Sequence, residues 1–223
     1  MYPAGNLFIP IEHGGLEAVL KEPRAAAGES SVSPHGVALV LHPHPLHGGT
    51  MHTKVVFRAA RALNDAGLVA LRINFRGVGQ STGTHDHARG EQDDARGALD
   101  YLTNTYPNLP VTLAGFSFGA RVGLEVGIAD SRVANLIGIG TPLNMYDFTF
   151  LSACRKPLLL VHGQRDEFGD AGKLQELADQ LPAEAHTRVA IVPGAGHFFE
   201  GMLDEMSRVI RAWAEEIRMK DEG

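Results

Sequence analysis

Gly115-Phe116-Ser117-Phe118-Gly119 lies between a short apolar run, residues 111–114, and a stretch of helical character over residues 118–128. A serine in this setting sits on a sharp bend between strand and helix, its hydroxyl exposed and its glycine neighbours small enough for close backbone approach. Ser117 is the candidate nucleophile. Glycines and serines also make ordinary turns, so the pentapeptide needs context from the rest of the chain.

Outward from it, apolar runs at 36–41, 68–75, 133–140, 158–162 and 189–192 read as strands, the continuous ones buried on both faces. Val55, Val56, Ala59, Ala60 and Leu63 mark one amphipathic helix and Ala95, Leu99 and Leu102 another, with two more over 173–181 and 199–219. Near the start, Leu7, Ile9 and Ile11 alternate, His13-Gly14-Gly15 turns, and Leu16, Ala18 and Leu20 alternate again, which predicts a hairpin. Residues 23–34, rich in Ala, Gly, Ser and Pro, read as a surface loop. Alternating strands and helices predict a mostly parallel, doubly wound α/β sheet with helices on both faces. Functional residues are then expected in loops beyond the carboxyl ends of the strands. A length of 223 residues suits one domain, 1–223.

Composition excludes several classes. A hydrophobic fraction of 44% with 21% charged residues is ordinary for a globular core. The net charge of -6, with no basic run, argues against a nucleic-acid surface. Met1-Tyr2-Pro3-Ala4-Gly5-Asn6 has neither the basic nor the apolar region of a signal peptide, and no window approaches the roughly 18 apolar residues of a membrane span. The expectation is a soluble, cytoplasmic protein that engages neither nucleic acid nor membrane; oligomeric state is not readable. Cys154 is the only cysteine, so no internal disulfide can form.

A serine hydroxyl needs a base to become a nucleophile near neutral pH, and the base needs an acid to fix its tautomer. Asp166 follows the strand that ends at His162, and His197 follows the last strand in Gly194-Ala195-Gly196-His197-Phe198-Phe199. Each has a bland reading. Asp166 is one of 26 acidic residues, with Glu167 and Asp170 as nearby substitutes, and His197 is one of 11 histidines. Joint placement decides the matter: three required types, each beyond a strand's carboxyl end, in the order nucleophile, acid, base. An oxyanion hole would take the backbone N–H of Phe118, at a helix N-terminus, and a second donor from the loop after residues 36–41. Pro43 and Pro45 have no N–H, which leaves His44.

His42-Pro43-His44-Pro45, Gly48-Gly49-Thr50-Met51, Asn74-Phe75-Arg76-Gly77-Val78-Gly79-Gln80-Ser81, the pentapeptide, Asp166-Glu167-Phe168-Gly169 and Gly196-His197-Phe198 together span residues 42–198. In these pieces the chain resembles the α/β-hydrolases, and within them the small, lidless bacterial group. The resemblance implies an α/β-hydrolase fold and serine hydrolysis of carboxylic esters through an acyl-enzyme, with short acyl esters as small-molecule substrates; no cofactor is expected. Caps in larger relatives enter where this chain has only residues 141–157, so no cap domain is expected. The open site would be lined by Leu46, Met51, Phe116, Met145, Phe168 and Phe198, with Phe118 and Leu143 beside them, although apolar residues are buried by default. Thioester, lactone or dienelactone hydrolysis, amide hydrolysis, acyl transfer and a non-enzymatic ligand-binding role on the same scaffold are the alternatives.

Other motifs carry less. The histidines at 42, 44, 47 and 52 suggest a metal site, but prolines break their spacing and no carboxylate lies among them, so no metal is expected. His85-Asp86-His87 reads as a polar loop before a helix. Gly77, Gly79 and Gly83 miss the dinucleotide fingerprint, whose third glycine falls on Thr82, and Gly172-Lys173 is followed by Leu174 rather than the Ser or Thr of a P-loop.

Overall fold

Six parallel strands form the centre of one eight-stranded sheet, and they are the runs that the sequence leaves almost free of polar residues. In a computed structural model, which describes residues 5–23 and 33–221, these strands are β3 (Gly36–Leu41), β4 (Leu68–Ile73), β5 (Val111–Phe116), β6 (Val133–Ile139), β7 (Leu158–Gly163) and β8 (Arg188–Val192). A hairpin of β1 (Gly5–Ile11) and β2 (Gly14–Lys21) adds antiparallel strands at the β4 edge, giving the order β1-β2-β4-β3-β5-β6-β7-β8. The two-residue turn Glu12-His13 sets the hairpin register, with Ile11 opposite Gly14. The loop expected over 23–34 lies largely outside the described residues, as do the first four residues of the leader assignment.

Helices α1 (Lys54–Asp65) and α5 (Leu203–Asp221) cover one face of the sheet, and α2 (Gly90–Thr105), α3 (Phe118–Ala129) and α4 (Ala171–Asp179) the other. The side-chain period of two along each strand feeds the two core layers separately. Leu39, Leu41, Leu113 and Leu160 join Leu99, Leu124 and Leu174 on one face, while Ala38, Val40, Ala114 and Val161 join Val55, Leu63, Met206 and Ile210 on the other. Burying each such leucine contributes about 1.5–3 kcal/mol. Cys154 is buried, and burial raises its thiol pKa. Among the described residues no helix is long and apolar enough to cross a membrane.

Several boundaries differ from expectation, each for a local reason. Helix α4 begins before residue 173 because the Asp170 carboxylate accepts the Lys173 N–H at 2.9 Å and caps it. Helix α5 begins at Leu203 rather than 199, since Phe199 (φ 54°) and Gly201 (φ 75°) place a turn where the apolar pattern had suggested helix. Strand β4 stops at Ile73 because Asn74 N–H turns to the Glu17 carbonyl and Phe75 N–H to the His42 ring. Residues 141–157 hold only a short 3-10 turn, Thr149–Ala153, and no cap.

Candidate active site

The sheet order creates the site. Strand β3 is flanked by β4 on one side and β5 on the other, so the chain reverses direction across the sheet there and a crevice opens beyond the carboxyl ends. Leu41 is paired with Gly115, which sets the loop after β3 beside the turn after β5. Ser117 occupies that turn with φ 56° and ψ −118°. A non-glycine residue held there costs about 1–3 kcal/mol. Its N–H donates to the Ile139 carbonyl at 2.9 Å, and its own carbonyl accepts the N–H groups of Ala120 and Arg121 at 2.9 and 3.1 Å. The flanking glycines are required by contact. A Cβ on Gly119 would lie 2.6 Å from the Leu41 carbonyl oxygen, and one on Gly115 only 2.1 Å from that of Gly119.

His197 Nε2 lies 2.9 Å from Ser117 Oγ, and its Nδ1 lies 2.8 and 3.0 Å from the two oxygens of Asp166. A carboxylate only accepts, so Nδ1 carries the proton and Nε2 is left to accept from the hydroxyl. Both side chains are buried, and Asp166 Oδ1 also accepts the Phe168 N–H at 2.9 Å. The loops that carry them are laced together. Gln164 N–H donates to the Val192 carbonyl, Arg165 N–H to that of Ala195, and Gly194 N–H to the Gln164 side chain. The His197 ring is enclosed by Phe116, Phe168 and Phe198, with centroids 4.9, 4.6 and 5.2 Å away. Of the substitutes considered from the sequence, Glu167 is exposed and Asp170 caps α4.

The loop after β3 is anchored by His42. This ring is wholly buried, its Nδ1 donates to the Pro43 carbonyl at 2.6 Å and its Nε2 accepts the Phe75 N–H at 3.0 Å. Desolvation lowers its pKa from 6.5 to about 4. Both nitrogens are thereby occupied, which removes His42 from any metal-ligand set. The His44 carbonyl accepts the N–H groups of His47 and Gly49, both at 3.1 Å, folding the loop into a tight turn. Its ring, 5.0 Å from that of Phe118, has a pKa lowered by burial and then by the neighbouring His47. Among the described residues no group of three or more His, Cys, Asp or Glu is arranged to hold a metal ion.

The remaining expected contacts divide. Leu46, Met145 and Phe198 are exposed and Phe168 is half-buried. Met51 and Phe116, expected among the substrate contacts, are enclosed at 1% and 0% exposure, and neither offers surface to a ligand. Met51 instead holds the loop through its backbone, N–H to Asn74 Oδ1 at 2.8 Å and carbonyl from Arg72 at 2.6 Å. Asn74, quoted in the sequence only within a motif, and Glu91 and Asp94, which the sequence reading passed over, are buried polar residues. Their signal was available: Glu91 and Asp94 stand three apart on α2, on the face that also carries Ala95, Ala98 and Leu102.

Known proteins resemble this chain in sequence and fold. The family model described as Serine aminopeptidase, S33, matches residues 44–148. An uncharacterized protein of Rickettsia prowazekii is 39% identical over 196 residues, 85% of this chain and 82% of that one. An alpha-beta serine hydrolase homologue from Coxiella burnetii superposes with a TM-score of 0.86 at 32% identity, over 95% of this chain and 99% of that one. A serine hydrolase without lid from Xanthomonas campestris does so with a TM-score of 0.83 at 32% identity, over 95% and 94%. With this fold, this identity and this coverage, the chain belongs to the lidless α/β serine hydrolases.

Proposed function

We propose that the protein hydrolyses carboxylic esters, with short-chain acyl esters as its substrate class, through an acyl-enzyme formed on Ser117. The observation that carries this reading is the continuous line from Ser117 Oγ to His197 Nε2 at 2.9 Å and from His197 Nδ1 to Asp166 at 2.8 Å. His197 takes the proton as Ser117 Oγ attacks the carbonyl carbon. The N–H groups of Phe118 and His44 hold the oxyanion, each such donor contributing about 2.7–4 kcal/mol in a comparable enzyme. The imidazolium then protonates the departing alcohol as the carbonyl–oxygen bond breaks. Water, deprotonated by the same nitrogen, attacks the acyl group, and Ser117 Oγ leaves with the proton. Asp166 holds the ring in one tautomer and stabilises its charge.

Esters are the substrate class that the family resemblance implies, and residues 141–157 raise no cap over the site. The test is turnover of p-nitrophenyl esters of increasing acyl length by the wild-type protein and Ser117→Ala, with a chelator control. Turnover that is lost in the variant and survives the chelator is expected. Equal activity in both proteins refutes Ser117 as nucleophile. Inactivity on all the esters, with turnover of a thioester or lactone, moves the substrate class and keeps the mechanism.

A further inference from the structure

The segment between β4 and α2 carries the second histidine cluster of the chain, and the relay above makes no use of it. Its course is unusual. His87 (φ 50°) and Ala88 (φ 73°) are successive non-glycine residues in the left-handed region, each costing about 1–3 kcal/mol. What holds them is a carboxylate. Glu91 is wholly buried and accepts the N–H groups of Asp86 and Ala88, both at 2.9 Å. His85 Nδ1 stands 2.7 Å from Glu91 Oε1 without making a hydrogen bond to it, so Glu91 fixes His85 through the N–H groups of the loop that carries it.

The His85 side chain is only 6% exposed, and its surroundings give it a role. Its ring centroid lies 4.9 Å from that of His44 and 5.6 Å from that of Phe118. These two residues come from different loops, one after β3 and one after β5, and they are the two assigned to the oxyanion hole. The His44 and Phe118 rings also touch each other at 5.0 Å, so the three form a closed cluster. His87 packs on the outer edge of His85 at 5.0 Å, and His47 stacks on His44 at 4.4 Å.

We propose that His85 is a positioning residue for the oxyanion hole: anchored by the buried Glu91, its ring braces His44 against Phe118 and fixes the separation of their backbone N–H groups. The proposal rests on the serine-hydrolase reading above. An oxyanion hole works by being preorganised, since donors that must move to meet the developing charge lose much of their effect. A brace of this kind acts only where charge develops, so its removal lowers kcat and leaves ground-state binding nearly intact.

The test compares wild type, His85→Ala, His85→Phe and Glu91→Gln in three measurements: hydrolysis of p-nitrophenyl butyrate, inhibition by an alkyl trifluoromethyl ketone that forms a tetrahedral adduct on serine, and thermal melting. The alanine variant is expected to lose about tenfold or more in kcat, less than the roughly 100-fold of a deleted donor, with KM within about twofold. The ketone inhibition constant should rise by the same factor as kcat falls. Glu91→Gln should follow alanine. His85→Phe, which keeps a ring against His44 and Phe118, should recover most of the loss. If the alanine variant does not fold, His85→Asn decides, because it stays polar but lacks the ring and should show the same split. Variants that match wild type in kcat and ketone affinity overturn the brace alone, as does a loss that falls on KM. A wild-type protein inert to ester and ketone alike overturns the parent reading, and the brace with it.

Discussion

Two buried histidines stand beyond the carboxyl ends of strands on either side of the site, His42 after β3 and His197 after β8. Both use both ring nitrogens. His42 donates to the carbonyl of Pro43 and accepts from the N–H of Phe75, and neither partner can gain or lose a proton near neutral pH. Burial then outweighs the smaller opposing effect of the Pro43 carbonyl on the charged form, and the pKa falls to about 4. His197 has a carboxylate at one nitrogen and a hydroxyl at the other. One partner stabilises an imidazolium and the other can release a proton. The partners, rather than burial or position, separate a histidine that shapes a loop from one suited to move a proton.

The contrast can be broken most severely at His197. Replacing it by alanine is expected to lower kcat by about four to six orders of magnitude with the fold retained, as judged by steady-state turnover and melting. A residual rate within tenfold of wild type would remove His197 from the role of base.

A smaller effect, on stability, is expected from His42. The unfolded chain protonates this ring below about 6.5 and the native state only below about 4, so between those values the unfolded state binds more protons. Stability is therefore full above about pH 6.5 and falls as the pH drops towards 4, by up to about 3 kcal/mol. Urea titrations of wild type and His42→Gln at pH 7, 5.5 and 4.5 measure it. The variant should be weaker at pH 7 and flatter in acid, and parallel acid slopes would show that other groups carry the dependence.

The smallest effect sharpens the picture of the bend at Ser117. Ser117→Gly relieves a backbone at φ 56° and should raise stability by a net of about 1 kcal/mol, after the entropy that glycine adds to the unfolded chain. A rise of a few degrees in melting temperature is the expected reading. An unchanged or lower value would mean that the bend carries no strain.

Much of this architecture could be read from the chain alone, because strands covered on both faces leave unbroken apolar runs and glycines mark where backbones touch. The order of Ser117, Asp166 and His197 along those runs predicted which loops would meet. Depth was harder. Met51 and Phe116 read as substrate contacts because an apolar side chain near a reactive serine looks the same in sequence whether it faces the crevice or the core. The start of α5 was misplaced because the apolar pattern at 199–202 says nothing of the left-handed turn at Phe199. Glu91 escaped notice, and His85 read only as part of a polar loop, for a further reason. A carboxylate that satisfies a loop's N–H groups is defined by the loop's path, and no periodicity encodes that path.

Ser117 and His197 are 80 positions apart, and His197 hangs from β8, the outermost strand of its side of the sheet. As the chain leaves the ribosome the serine is made long before its base. With His197 as its base, the hydroxyl would stay inert until the last strand docks. The same order holds in the finished molecule, because edge elements open locally at lower cost than central ones. On the reading proposed above, a brief detachment of β8 would withdraw the base and leave the strained bend in place, so hydrolysis would cease while the centre of the sheet is still folded.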